Sequence, residues 1–252
     1  MINLSGIVGN QLIGKLLRLP LNLIPKGMVI PVLQGKLRGK KWIVGASVHG
    51  CWLGCYEQDK QLLFTKTITK ESVVYDIGAN VGFYTLLASH IIGEKGKTIA
   101  FEPFHRNLCY LKKHLQLNKC NNVAVIEAAV NEQGGVAFFE EGTSSSTGRI
   151  SEKGSIKIET VKIDTLVSQG KIPPPDFIKI DVEGSELLVL RGAKSMLTHY
   201  YPTIFLATHG TNVHKECCDF LESIGYKLQS INKKDIKETD EILAVKRDNG
   251  HY

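Results

Sequence analysis

After Lys70 the chain repeats one pattern: a short apolar run, a glycine-containing turn, then a stretch with helical amphipathic spacing. The runs Val73 to Asp76, Thr98 to Phe101, Val123 to Ala128, Phe177 to Ile180 and Thr203 to Ala207 predict five buried parallel strands joined by crossover helices. Two further runs, Tyr226 to Ile231 and Ile242 to Lys246, are separated only by a polar loop holding Lys233, Lys234, Asp235 and Lys237. A connection that short joins antiparallel neighbours at a sheet edge. The expected architecture is a doubly wound α/β domain with a seven-stranded sheet whose last strand is antiparallel.

Residues 1–70 read as an N-terminal extension and 71–252 as the main domain. Val8, Leu12, Leu16 and Leu19 recur at helical spacing, while Lys15, Arg18 and Pro20 interrupt the apolar stretch before it spans a bilayer. This predicts an amphipathic helix docked on protein, with peripheral contact to a membrane surface as the alternative. Between Lys41 and Tyr56 the runs Trp42 to Val44 and Ser47 to His49, broken by Gly45, Gly50 and Gly54, suggest a β-hairpin. The polar segment Gly134 to Gly154, with Thr143, Ser144, Ser145, Ser146, Thr147 and Gly148, reads as a flexible loop that beside a site serves as a lid.

Composition narrows the class without changing this picture. At 252 residues, 43% hydrophobic and 22% charged, the chain is an ordinary globular protein large enough for one catalytic domain with an extension. Six cysteines without a CxxC pair predict a reduced, cytoplasmic protein with half-buried free thiols, and not a zinc site built from Cys51, Cys55 and Cys217 or Cys218. The +6 net charge, concentrated in part at Lys36, Arg38, Lys40 and Lys41, fits a solvated basic loop and does not predict nucleic-acid binding. Oligomeric state is left open.

Three constellations carry chemistry. In Val73-Val74-Tyr75-Asp76-Ile77-Gly78-Ala79-Asn80-Val81-Gly82-Phe83-Tyr84-Thr85 a strand, a glycine turn and a helix start follow in order; Gly78 permits a sharp turn and Gly82 close helix packing. Glu102 ends the second strand about 20 residues on, where a carboxylate takes both hydroxyls of a ribose. A dinucleotide pyrophosphate requires G-x-G-x-x-G, whereas here Asn80 stands in the turn, with Asp76 on the strand, as befits the amino-acid portion of S-adenosylmethionine. Second, the strand Phe177 to Ile180 ends in Asp181 and Glu183, candidates for cofactor, substrate hydroxyl or cation, while Glu186 reads as a first-turn helix residue. Third, His209 follows the fifth strand, placed to take a proton near neutral pH.

From Lys41 to Lys246 the chain resembles the FkbM family of methyltransferases. The motifs are Asp76 to Thr85, Phe101-Glu102-Pro103 and Ile178-Lys179-Ile180-Asp181-Val182-Glu183-Gly184-Ser185-Glu186, extended by Trp52-Leu53-Gly54-Cys55-Tyr56-Glu57 and Ile163-Asp164-Thr165-Leu166. The resemblance implies the Rossmann-like class I methyltransferase fold and O-methylation of a hydroxyl on a sugar, glycolipid or secondary metabolite, so the partner is a small-molecule or glycan acceptor. It also implies cofactor roles at Asp76, Gly78, Asn80 and Glu102, to which the turn itself adds Ala79, Gly82, Phe83, Thr85 and Pro103, with Asp181 beside the methionine portion. Family members commonly carry a glutamate two residues before the histidine, where this chain has Ala207.

The expected mechanism aligns the sulfonium methyl with a substrate oxygen while His209 or Asp181 takes the proton, with no metal assigned. Two rivals differ in class. A nicotinamide-dependent oxidoreductase would carry a further phosphate-facing glycine in place of Asn80, and a nucleoside-binding module without catalysis is favoured only by Ala207.

Overall fold

The computed structural model describes residues 21, 23–140, 149–150 and 154–247. The helix expected around Val8, Leu12, Leu16 and Leu19, and the Thr143 to Gly148 run, lie outside the described residues.

In the extension, β1 (Val29–Pro31) pairs antiparallel with β2 (Lys41–Ile43), and α1 (His49–Leu53) and α2 (Gln58–Thr67) follow. A ladder is therefore present, but it corrects the expected one. The partner of the Trp42 run lies upstream, and Ser47 to His49 leads instead into α1. The reason is burial: as a helix this segment puts Cys51 and Trp52 into the core together, which a two-residue-period strand would place on opposite faces.

The apolar runs then form the main sheet. Its strands are β3 (Val73–Ile77), β4 (Lys97–Phe101), β5 (Val123–Ile126), β10 (Phe177–Ile180), β11 (Thr203–Ala207), β12 (Tyr226–Ser230) and β13 (Glu241–Lys246), in the order β12-β13-β11-β10-β3-β4-β5. Only β13 runs antiparallel to its neighbours. The helices α3 (Phe83–Ile92) and α4 (His105–Leu117) make the crossovers on one side, and α6 (Glu186–Gly192), α7 (Lys194–Tyr200) and α8 (Thr211–Ser223) follow β10 and β11. The chain order reverses between β3 and β10, the point where open α/β sheets hold ligands.

The segment expected as a loop at Gly134 to Gly154 is partly strand. β6 (Ala129–Val130), β7 (Gly135–Glu140), β8 (Arg149–Ile150) and β9 (Ile156–Val161) form a four-stranded sheet ahead of α5 (Ile163–Ser168). Ala137, Ile156 and Ile158 cover Ala129 with one face of this sheet, leaving Val136 and Phe138 exposed on the other. Polar composition hid an alternation of two.

Alternation along the main strands splits the core in two. Tyr75, Ile77, Ile99, Ile178 and Ile204 face α5 to α8, whereas Val74, Ala100 and Phe205 face α3, α4 and the extension. Val32, Leu37, Trp42, Cys51, Trp52 and Phe64 thus share a core with the main sheet.

His114 ties these parts together. Fully buried, it bonds the Val81 carbonyl through Nδ1 at 2.8 Å, accepts the Ile43 amide on Nε2 at 3.1 Å and stacks on Trp42 at 4.0 Å. An imidazolium has no lone pair for Ile43, and burial lowers the pKa from 6.5 to about 4. Because the folded value is the lower one, this contribution is complete above the unfolded pKa of about 6.5 and is lost as pH falls towards 4. Acidification across that window should cost up to about 3 kcal/mol, measurable by urea unfolding. His114→Gln should lose correspondingly less over the same range; equal slopes would remove His114 as the cause.

Candidate active site

At the carboxyl edge of β3 the chain folds its own amides away. The Gly78 and Ala79 N–H groups donate to the Phe101 carbonyl at 3.0 and 2.9 Å, and Gly82 N–H donates to Ala79 at 2.9 Å. Asn80 N–H donates to Glu102 Oε2 and Val81 N–H to Asn80 Oδ1, each at 2.7 Å. No amide from 78 to 82 is left pointing outward, so the turn is not a phosphate cradle. Asn80 itself is left-handed (φ 51°), a conformation its short amide side chain tolerates.

Gly78 is required by a close approach. At φ +79°, a Cβ there would lie 1.9 Å from the Asp181 carbonyl oxygen, so the first turn and the segment after β10 touch backbone to backbone. Phe83, expected beside the cofactor, is buried edge-on to Trp42 and Tyr56 and holds the extension against the turn. Pro103 is half-buried between Glu102 and α4.

Glu102 is 5% exposed and binds Asn80 N–H through Oε2 and Phe104 N–H through Oε1. Burial pushes its pKa up to about 7 against the pull of those amides. Asp76 is equally internal: Oδ2 accepts the Thr85 hydroxyl at 2.6 Å, and Oδ1 lies 3.6 Å from Lys179 Nζ. Asp76 and Thr85 therefore meet each other and a lysine. Parallel register explains the lysine, since Lys179 on β10 stands beside Asp76 on β3.

Lys179 also lies 3.4 Å from Asp181 Oδ2 and donates to the Gly78 carbonyl at 3.2 Å. Burial works against its charge, but Asp181 and Asp76 outweigh it and hold the ammonium's pKa above the usual lysine value. Burial would raise the Asp181 carboxyl, yet Lys179, Lys60 and His209 hold it below the usual value. A second buried ammonium, Lys60, pairs with Glu57 at 2.9 Å and with Glu241, and Glu57 accepts the Tyr84 hydroxyl at 2.9 Å. The Tyr84 ring lies between the two ammoniums, at 5.8 and 5.4 Å. A cavity opens above this layer, walled by Ser47, Val48, Cys51 and Tyr56 from the extension and by Asn80, Asp181 and Glu183 from the sheet edge.

His209 stands beside two of these wall residues, Asp181 and Glu183. Its Nδ1 lies 2.8 Å from Glu186 Oε1, while Nε2 faces Asp181 Oδ1 at 3.8 Å and Glu183 Oε2 at 3.5 Å. The Glu186 hydrogen bond, against burial and with help from Glu183 and Asp181, pushes the imidazole pKa up to about 9. Glu183, like Asn80, is left-handed (φ 56°).

A family model for the methyltransferase FkbM domain matches residues 76–228. The chain belongs to the FkbM methyltransferase family. It is 30% identical over 143 residues to the hexuronic acid methyltransferase AglP of Haloferax volcanii, covering 56% of this chain and 58% of that protein. It is also 31% identical over 133 residues to a probable cobalt-precorrin-6B C(15)-methyltransferase (decarboxylating) of Sulfurisphaera tokodaii, covering 48% and 68% respectively. Among solved structures, the methyltransferase FkbM of Methylobacillus flagellatus KT superposes with a TM-score of 0.52 at 19% identity, over 71% of this chain and 44% of that one, a likeness of fold. The match thus spans under two thirds of the Haloferax and Methylobacillus proteins.

Within this FkbM chain the missing glutamate at Ala207 has a neighbour in its place. Glu241 on β13 is the direct cross-strand partner of Ala207, so a carboxylate reaches the same point of the sheet edge from the adjoining strand. Sequence reasoning did not single out Lys60, Lys179 or Glu241, and it read Glu186 only as a helix residue, which it is, at 0% exposure. Lys179 had a signal: a lysine inside Phe177-Ile178-Lys179-Ile180 on a buried strand must find a carboxylate. Lys60 had only the neighbouring Glu57, an ordinary i,i+3 pair, because its other partner, Glu241, lies far along the chain. Cys51, Cys55 and Cys217 are buried and in no disulfide, more enclosed than the half-burial expected, and Cys218 is half-buried.

Proposed function

We propose that this chain catalyses S-adenosylmethionine-dependent O-methylation of a sugar hydroxyl, free or glycan-borne. Family membership supports the reaction class, and the name of the Haloferax relative, a hexuronic acid methyltransferase, supports a sugar acid as acceptor. The observation that carries the reading is the pairing of an amide-depleted turn with His209: nothing at residues 78 to 82 is left for a pyrophosphate, while an imidazole stands beside Asp181 and Glu183, two of the cavity's wall residues.

The residues fit the nucleoside. Glu102 Oε2 keeps a lone pair beyond its bond to the Asn80 amide, enough to accept a ribose hydroxyl, while Oε1 is held by the Phe104 amide and the Asn107 side chain, with Pro103 shaping the wall beside them. Gly78, Ala79, Asn80 and Gly82 allow close approach of the methionine portion, and Asp181, kept ionised, attracts its ammonium. S-adenosylmethionine supplies an electrophilic methyl on a sulfonium. The chain excludes water with Tyr56, Phe83 and the extension and orients the acceptor hydroxyl between the His209 imidazolium, charged at neutral pH, and the ionised Asp181, whose carboxylate receives the proton. Buried Asp76, Thr85 and Lys179 keep the strand ends in register.

His209→Ala and Asp181→Asn should each lower turnover at least about 100-fold, the usual scale for losing a positioned acid–base group: Asp181 as the proton acceptor and His209 as the charged partner that orients the hydroxyl. His209→Ala should leave S-adenosylhomocysteine affinity unchanged by calorimetry. Unchanged turnover in both variants would remove these roles, and preference for NAD over the nucleoside would remove the methyltransferase reading.

A further inference from the structure

We infer that Asp181, Glu183 and His209 form a divalent-cation site that receives the acceptor oxygen. The inference rests on the reading of this edge as the acceptor side, and it assigns the metal that the sequence left unassigned, at two of its cation candidates, Asp181 and Glu183.

The first observation is distance. One ligand atom from each of the three residues lies within 4.8 Å of the others, with His209 Nε2 3.5 Å from Glu183 Oε2 and 3.8 Å from Asp181 Oδ1. None of these is a hydrogen bond. For metal–ligand bonds of about 2.1 Å, adjacent ligands sit roughly 3.0–3.5 Å apart, so His209 Nε2 needs to close on each carboxylate oxygen by only a few tenths of an ångström, while the two carboxylates, within 4.8 Å, turn towards each other around a shared ion.

The second observation is independent of the three. Glu186 is fully buried and contributes no ligand, but its Oε1 holds His209 Nδ1 at 2.8 Å and accepts the Gly184 amide at 3.0 Å. Metal-bound histidines hold their other nitrogen on a carboxylate in this way, which fixes the tautomer and turns the Nε2 lone pair to the ion. Without a cation a proton on Nε2 occupies this place between the two carboxylate oxygens, and the ion replaces it. Glu186 Oε2 has no hydrogen-bond partner and is buried, so the negative charge around the imidazole lacks full compensation within the protein.

The surroundings separate this site from the lysine network. Lys179 approaches Asp181 through Oδ2, which leaves Oδ1 for the ion. His209, Glu183 and Asp181 are all partly exposed, so the remaining coordination positions open towards the cavity mouth, as a catalytic site requires. One imidazole with two carboxylates favours Mn2+ or Zn2+ over Mg2+ or Ca2+. An acceptor hydroxyl bound to such an ion is acidified: its O–H bond breaks, the electron pair remains on the oxygen, and the proton passes to water at the open side, in place of direct transfer to Asp181, whose Oδ1 then holds the ion.

The test is Mn2+ titration of chelator-treated full-length protein by calorimetry and electron paramagnetic resonance, with S-adenosylhomocysteine titrated separately. One Mn2+ per chain is expected, bound at least tenfold more weakly by His209→Ala and by Glu183→Gln, a conservative change at a partly exposed loop residue. No Mn2+ binding, or binding that both variants leave intact, overturns the cation site while leaving the methyltransferase reading in place. Failure of S-adenosylhomocysteine to bind would overturn that reading instead, whatever Mn2+ does.

Discussion

Lys179→Met is expected to destabilise the protein by about 3–5 kcal/mol, the cost of removing one partner from a buried ion pair. Lys179 is 5% exposed and is the cation beside Asp76 Oδ1, an atom with no hydrogen bond of its own. Methionine fills similar volume, so the loss comes from stranding the Asp76 and Asp181 carboxylates and not from a cavity. Urea unfolding should show a lower midpoint at unchanged slope. Adding Asp76→Asn should restore part of the loss, because the two residues act as a pair. A single-variant effect below about 1 kcal/mol would mean that the ammonium is not what holds these strands in register.

Gly78→Ala should cost nearly as much stability and more function. The left-handed backbone alone costs an alanine about 1–2 kcal/mol, and the new Cβ, 1.9 Å from the Asp181 carbonyl oxygen, forces the turn and the β10 segment apart. S-adenosylhomocysteine affinity should fall at least about 100-fold, since both walls of the pocket move. Gly170→Ala is the control: its φ is +65° and nothing lies within 4 Å of the added atom. It should show the backbone strain without the loss of binding. Equal behaviour of the two variants would show that the backbone approach at Gly78 is dispensable.

The acid-sensitive tie at His114 places a related demand on the same turn from the other side. Its bond to Val81 and its acceptance of the Ile43 amide join the extension to the cofactor loop. Residues 41–56 are therefore part of the site's wall as well as neighbours of the sheet, and Phe83 and Tyr56 pack between them.

The seven main strands, their parallel and antiparallel sense, and the placing of Asp76, Glu102, Asp181 and His209 at one edge were all legible in the sequence. Those features are written in local periodicity: a buried strand must be apolar, a sharp turn needs glycine, and chain order through crossovers dictates which strand ends converge. Other expectations fell to tertiary packing. Ser47 to His49 has strand-like composition but enters a helix because Cys51 and Trp52 find the core that way. The segment around Gly134 looked loop-like, and its strands form because β9 offers them a partner.

The chemistry divides along the same line. The sequence alone determined that carboxylates and a histidine would meet at the end of a doubly wound sheet beside a glycine turn. Only the tertiary structure decided what each would touch: that Asp76 faces Lys179, that Glu241 stands across from Ala207, and that Glu186 holds the imidazole towards Asp181 and Glu183. The reason is that hydrogen bonds and ion pairs are fixed by distances of a few tenths of an ångström between residues tens or hundreds of positions apart. Such distances depend on how helices and strands pack, and no local pattern records them.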